Sequence, residues 1–509
     1  MLSNSYSSQD IVELSVSAWF YRNRAIAGFD NPARSLYVAV REIVENSLDA
    51  CEGARVLPEV SVHLSYETSD TDSIGFASGP EMFSLAVMDN GSGIARKDVP
   101  LLIGKMLTGT KFTHKQSRGT FGLGGSLALL YGQVTTQRPI TVRTARKGES
   151  KVHTIQMRLD IENNQPEILH ETEEEKELSE HGTTVSFHLQ GDWLRSKRRI
   201  IDYFAQTSVI VPYATISLSD PDGNHHNFER LIEKLPKRPK EVKPHPRGID
   251  VEMLKSMVNA TKTTNLKTFL MKAFQRIGSS TADKFIEFSG LSPDIDPKNL
   301  PGKTLLHLMN SFSQFEGFMI PSAKALSPAG EEVLTAGMQR LDPEFLVVTQ
   351  RAPSVYEGHP FIIEVGIAFG GNLGTGNKLY RFANRIPLLY DEGSDVSSRC
   401  IKEINLKSYG LRPEDPLAFF IHLCSTKVPY KTVGKEYIAD VDMVRREIDL
   451  GIKECLRRIG KQVVRNNRIH HIRKREDRLR RYYEFISDTL TEATAREIDL
   501  SNLFPEGGE

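Results

Sequence analysis

Apolar residues first recur at helical spacing between Ser35 and Cys51. Leu36, Val40, Ile43, Val44 and Leu48 fall on one stripe of SLYVAVREIVENSLDAC and predict an amphipathic helix. Val60–Tyr66 alternates apolar and polar like a strand, and the apolar run Phe83–Met88 stops at Asp89-Asn90-Gly91, a turn signal. Val99–Phe112 reads as helix and loop, Arg118–Gly125 as a glycine-rich bend, and Leu127–Tyr131 as a helix continuing from it. Ile140–Thr144, His153–Leu159 and Thr183–Leu189 are strand-like. Helix, then sheet, then glycine bend predicts an α+β sandwich over residues 1–226.

The pattern then changes. LPKRPKEVKPHPRG, from Leu235 to Gly248, is basic and proline-rich and reads as a linker, and Val251–Ile277 and Thr281–Gly290 read as short helices with breaks. A second α/β segment offers strand candidates in PEFLVVTQ, HPFIIEVGIAFG and LAFFIHLC, and Val441–Leu490 is one long helical pattern dense in arginine. These shifts divide the chain into 1–226, 227–312, 313–440 and 441–509.

Composition narrows the picture little. The 509 residues exceed one core. Lys+Arg and Asp+Glu both total 65, so no global field draws the chain to nucleic acid, and any such contact must come from local patches. Cys51, Cys400, Cys424 and Cys455 form no C-x-x-C, which excludes a zinc ribbon and argues against a disulfide framework; each reads as a small buried residue. MLSNSYSSQD lacks a basic-then-apolar leader, and no apolar run reaches the roughly 18 residues of a membrane span. A soluble cytoplasmic chain is expected, nucleoid-associated, or nuclear in a eukaryote.

Four motifs offer chemistry. Glu42 and Asn46 lie four apart and share a helix face. The amide oxygen suits Mg²⁺, and the carboxylate suits a general base acting on water. Asp89-Asn90-Gly91-Ser92-Gly93 ends a strand; its carboxylate can accept from an exocyclic amine such as that of adenine, while Gly91 and Gly93 allow close approach of the backbone. Gly119-Thr120-Phe121-Gly122-Leu123-Gly124-Gly125 opens a helix, where free N–H groups favour phosphate, and Lys111 upstream could reach the same anion. No Lys-Ser/Thr follows, so this is not a P-loop, and no βαβ unit surrounds it. Gly182-Thr183-Thr184-Val185 opens a strand with hydroxyls able to bridge water to a base. Each motif alone has an ordinary structural reading, as a solvated helix face or a hairpin turn.

In this order, the four resemble the boxes of the GHKL ATPase superfamily, which includes gyrase-type topoisomerases, MutL proteins, heat-shock chaperones and histidine kinases. The resemblance implies that Glu42 is the general base, Asn46 the Mg²⁺ ligand and Asp89 the adenine contact. It sets Gly91, Gly93 and Thr183 beside the base, and Thr110, Lys111, Gly119, Phe121, Gly122, Leu123, Gly124 and Gly125 around the phosphates of ATP. The wording between the motifs (EIVENSLDACEGARVLPEV, GKMLTGTKF, QSRGTFGLGGSLALLYGQVTTQRP, RFANRIPLLYD and HLCSTKVPYKTVGKEYIAD) is similar to topoisomerase VI B subunits from Ser35 to about Arg481.

That resemblance implies an α+β fold: a GHKL (Bergerat) ATPase sandwich, a small helix-two-turns-helix insert with Gly278 at a tight turn, and an α/β transducer domain with a long C-terminal helix. A transducer lysine reaching the γ-phosphate best matches Lys435, with Lys427 and Lys431 as rivals. SNSYSSQD, with Trp19, Phe20 and Tyr21, matches a strap exchanged when two copies dimerise on ATP. No tyrosine stands out as a DNA nucleophile, so the resemblance assigns strand cleavage to a tyrosine-bearing A subunit. Double-stranded DNA is the other partner, in an A2B2 heterotetramer with no membrane contact. The basic stretch Arg445–Arg481 is expected to track DNA phosphates or to dock on the A subunit through Ile448, Ile452, Leu456, Ile459 and Val463. A MutL-like repair ATPase and a chaperone-type conformational switch are the alternatives.

Overall fold

The computed structural model describes residues 15–67, 81–106, 115–119, 124–431 and 434–494. A short α1 (Val16–Arg22) precedes the long α2 (Pro32–Ala54). Asn31 caps α2 by accepting the Arg34 N–H at 2.9 Å, Pro32 presets the first turn, and Arg55 in left-handed backbone ends it. There follow β1 (Glu59–Tyr66), β2 (Glu81–Asp89), α3 (Val99–Gly104), α4 (Gly124–Thr136), β3 (Ile140–Ala145), β4 (Lys151–Asp160) and β5 (Gln165–Glu175). β6 (Gly182–Gly191), α5 (Trp193–Ile210), β7 (Thr215–Ser219) and β8 (His225–Phe228) complete the unit.

The eight strands form one sheet in the order β5-β4-β3-β6-β2-β1-β7-β8, in which the β1–β7 pair is parallel. α2, α4 and α5 lie on one face, where Leu36, Val40, Val44 and Leu48 share a core with Val62, Leu85, Val87 and Phe187. The alternate residues of β1 and β2 are more open, which is the period-two pattern visible in the sequence. β5, with QPEILHETEEE, is a polar edge strand whose sequence gives no such signal. α5 also escaped the sequence reading, because SKRR interrupts its apolar stripe of Trp193, Ile200 and Phe204.

The linker is bonded rather than loose. Arg55 donates to the Pro236 carbonyl at 2.6 Å, and the Lys240 N–H donates to the Lys324 carbonyl. Lys237, Arg238, Lys240 and Lys243 are exposed there. α6 (Val251–Ala260), α7 (Leu266–Ala273), α8 (Ser279–Ser289) and α9 (Gly302–Gln314) enclose a phenylalanine core of their own, in which Phe285 and Phe312 stack at 5.0 Å. Val251–Ile277 is thus two helices, because Asn265 caps a new start by accepting the Thr268 N–H. Gly278 is not the tight turn. It is extended at the start of α8 with open space where a side chain would go, and the left-handed residue is Arg276.

α10 (Glu331–Met338), β9 (Phe345–Gln350), β10 (Ser354–Tyr356), β11 (His359–Phe369), β12 (Asn377–Ala383), β13 (Ile386–Pro387), α11 (Val396–Glu403) and β14 (Leu417–Ser425) build a second sheet. Its order is β10-β11-β14-β12-β13, with β9 on β11. β14 is buried throughout because both faces are covered. Ala418 and Phe420 join the core shared with α2 and α5, while Leu417, Phe419, Ile421 and Leu423 meet α12 (Asp442–Thr494). The stripe Ile448, Ile452, Leu456, Ile459 and Val463 is therefore spent within the chain and does not serve as a docking face for another subunit. From Val464 to Phe485 every residue of α12 is exposed. Among the described residues no helix is long and apolar enough to cross a membrane, and all four cysteines are buried and free.

Candidate nucleotide site

α2 sets Glu42 and Asn46 one turn apart, with Glu45 beside them. Gly124 and Gly125 begin α4 against this face. A side chain at Gly124 would overlap the Glu42 carboxylate, and one at Gly125 would overlap the Asn46 amide. Only glycines let the helix start approach so closely, and its free N–H groups and positive end then face the same point. A carboxylate, an amide and an anion-attracting helix start are thereby brought together.

Asp89 closes β2 and lies opposite Thr183 of β6 in register. Its carboxylate accepts the Gly91 N–H at 2.8 Å. Burial pushes its carboxyl up, opposed by the Gly91 N–H and the Ser47 hydroxyl. Gly182, at φ +140, passes so close to the Asp89 carbonyl that no side chain would fit, and Gly93 turns in left-handed backbone beside Ala145. Thr183 Oγ1 lies 3.3 Å from Thr144 Oγ1.

Lys435 comes from the loop between β14 and α12. Its ammonium is 3.2 Å from Glu42 Oε1 and 3.2 Å from Glu45 Oε2. Arg41 adds a 2.7 Å bond to Glu42 and donates to the Gly434 carbonyl at 3.2 Å, while Arg34 pairs with Glu436. Burial would raise the Glu42 carboxyl, but Lys435 and Arg41 outweigh it and hold the group at about 2. Burial likewise disfavours the Lys435 ammonium, and Glu42 with Glu45 overcome this and lift it above the ordinary lysine range. Glu45 is pushed up, first by burial and then by its neighbour Glu42, against the pull of Lys435. Lys435 itself sits in left-handed backbone, φ +57, a strained place for a side-chain-bearing residue.

Of the two rivals, Lys427 lies 3.5 Å from Glu357 and Lys431 is exposed. Thr110, Lys111, Phe121, Gly122 and Leu123 lie outside the described residues, as does SNSYSSQD. Gly119 is described at the head of the bend, where its carbonyl accepts the Ser117 hydroxyl at 2.6 Å.

Residues 31–192 match the family of histidine kinase-, DNA gyrase B- and HSP90-like ATPases, and residues 321–475 match the transducer of the topoisomerase VI B subunit. The B subunit of type 2 DNA topoisomerase 6 from Metallosphaera sedula is 39% identical over 474 residues, 92% of this chain and 88% of that one. Its counterpart from Saccharolobus solfataricus is 39% identical over 458 residues, 89% of this chain and 85% of that one. The chain belongs to the topoisomerase VI B-subunit family. A solved ATPase domain of Thermus thermophilus gyrase B aligns over 93% of this chain and 98% of its own, at 12% identity and a TM-score of 0.43.

As a topoisomerase VI B subunit, the chain is the ATP-driven subunit of a type IIB enzyme, with an ATP-binding ATPase domain and a transducer. The match spans the linker and insert as well, which sets aside the repair-ATPase and chaperone alternatives. Several charges of this B subunit escaped the sequence reading: Arg41, Glu45, Arg118 and Arg385, which are buried, and Glu52, which is half-buried. Glu45 had a usable signal, since it lies three residues from Glu42 on α2, and Glu52 lies seven beyond Glu45. Arg385 had none, because its partner is 333 residues away.

Proposed function

We propose that Glu42 is the general base for ATP hydrolysis, that Asn46 is the Mg²⁺ ligand, and that Asp89, Gly91, Gly93 and Thr183 receive the adenine. Gly119, Gly124 and Gly125, with Thr110, Lys111, Phe121, Gly122 and Leu123, complete the phosphate side. The observation that carries this reading is the seating of α4 on Glu42 and Asn46 through Gly124 and Gly125. The donor set fits the groups assigned to it: a hard amide oxygen for Mg²⁺ and a helix start for phosphate. Bound there, Mg²⁺ would offset the phosphate charge. Glu42 takes a proton from the attacking water as its oxygen bonds to the γ-phosphorus, the bond to the bridging oxygen breaks, and ADP and phosphate result.

Lys435 acts as the switch. While it holds Glu42, the carboxylate is too weak a base to work well, because a general base is most effective with a pKa near the operating pH. A γ-phosphate competes for the same ammonium, and drawing it off both relieves Glu42 and shifts the loop that carries it.

The chain is divided, in this reading, into an ATPase domain (1–226), an insert (227–312), a transducer (313–440) and a C-terminal helix (441–509). Two copies dimerise on ATP through their N-terminal straps and enclose a DNA duplex. A partner A subunit, bearing the nucleophilic tyrosine, cuts the second duplex in an A2B2 assembly. Glu42→Ala tests the core of this proposal. ATP binding is expected to persist while hydrolysis is abolished, and unchanged phosphate release would refute the base assignment.

A further inference from the structure

The segment entering the glycine bend is tied both to the transducer and to α2. The Gln116 N–H donates to the Ala325 carbonyl at 2.9 Å, and the Gln116 side chain pairs reciprocally with the Ser327 backbone at 2.7 and 3.1 Å. The Ser117 carbonyl accepts from Asn384 at 3.0 Å. Arg118, 2% exposed, donates to Asp49 at 2.8 Å and to Glu52 at 2.5 Å, both near the C-terminal end of α2. The other Glu52 oxygen accepts Arg385 at 2.7 Å, and Arg385 also donates to the Ser327 carbonyl at 2.6 Å and hydroxyl at 3.0 Å.

Asn384 and Arg385 form the β12–β13 turn, and both are in left-handed backbone, φ +49 and +65. Two such residues in succession need outside support. His422 supplies it by accepting the Arg385 N–H at 2.9 Å, with Glu364 at 2.7 Å behind the other ring nitrogen. Glu364, His422 and Cys424 are close enough together to resemble a metal site. Their polar atoms are instead engaged within the protein, with Glu364 also accepting the Ala329 and Gly330 N–H groups. The group braces the turn.

The transducer thus holds α2 at two places. Lys435 grips Glu42 and Arg385 grips Glu52, ten residues or about 15 Å apart along the helix axis. Gly119 follows directly on the tethered residues, so a shift of the Gln116–Gly119 segment is carried into a close-packed interface. We propose that Asn384 and Arg385 are positioning residues that couple the Gln116–Gly119 segment, which leads into the glycine bend, to the transducer, independently of Lys435. This rests on reading Gly119–Gly125 as the phosphate cover.

The test uses the full chain assembled with its strand-cleaving partner and compares Arg385→Met, Arg385→Lys and Asn384→Gly, the last keeping left-handed freedom. ATP KM and DNA-free hydrolysis are expected to stay within about twofold of the parent. Strand passages per ATP hydrolysed, from plasmid relaxation against phosphate release, are expected to fall about tenfold in Arg385→Met and Asn384→Gly. Arg385→Lys recovers part of that loss. A passage-to-hydrolysis ratio unchanged in folded protein, or a fall in hydrolysis that matches the fall in passage, would overturn the proposal. Should Arg385→Met not fold, Asn384→Gly decides the question in its place. Glu42→Ala run in parallel separates the two readings. Hydrolysis surviving there defeats the site assignment itself, whereas its loss beside fully coupled Arg385→Met defeats only the positioning role.

Discussion

Lys435 is buried with a second cation, Arg41, against two carboxylates, so its removal leaves charge without a full partner. Because the folded Glu42 pKa lies below the ordinary value of 4.5, its contribution to stability is present above that value and is lost as pH falls toward about 2. Lys435→Met is expected to cost about 3 kcal/mol at neutral pH. It should cost less in mild acid, where the buried carboxylates take up protons instead of staying charged. Urea unfolding at the two pH values checks this, and equal losses would contradict the pairing. At this scale the shared helix face of Glu42 and Asn46 was legible, because a four-residue helical spacing is a local property. Glu45 shares that face by its three-residue spacing, yet nothing local says that Arg41, a surface-type residue, is buried. Only the loop bearing Gly434, 393 positions from Arg41, makes them part of the site.

Elements with long, regular apolar periods were legible, and short or polar ones were not. α12 announced itself over most of its length, and β11 and β14 by apolar runs interrupted only at Glu364 and His422, whereas the two-residue β13 and the glutamate-rich β5 had no pattern to show. What the sequence could not supply for α12 was the partner of its stripe, since apolar spacing is the same whether the covering surface is the chain's own or another's. Leu456→Ala is expected to destabilise the chain by about 3 kcal/mol, because the side chain is fully buried against the second sheet. Arg473→Glu, on the exposed half, should change stability by less than about 0.5 kcal/mol. Thermal and denaturant melts of the two variants decide between a stripe covered within the chain and one that awaits another subunit.

For the molecule as a whole, the distribution of cores decides what moves with what. The first sheet and one face of the second share a single core through α5 and α10, whereas α6–α9 keep a separate one. Phe285→Ala is expected to cost about 4 kcal/mol within that small unit. Hydrogen exchange should then rise across α6–α9 while α2 and α4 stay protected and ATP still binds; loss of protection throughout would show one cooperative block. The shared core also places α12 in a particular mechanical position. Its first half is clamped to the second sheet, and the stretch from Val464 to Phe485, about 33 Å long, is exposed throughout. A tilt of about 10° at the root would swing Phe485 by about 6 Å. Such a rod is a lever, and an adjustment of fractions of an ångström beside two carboxylates arrives magnified at its tip.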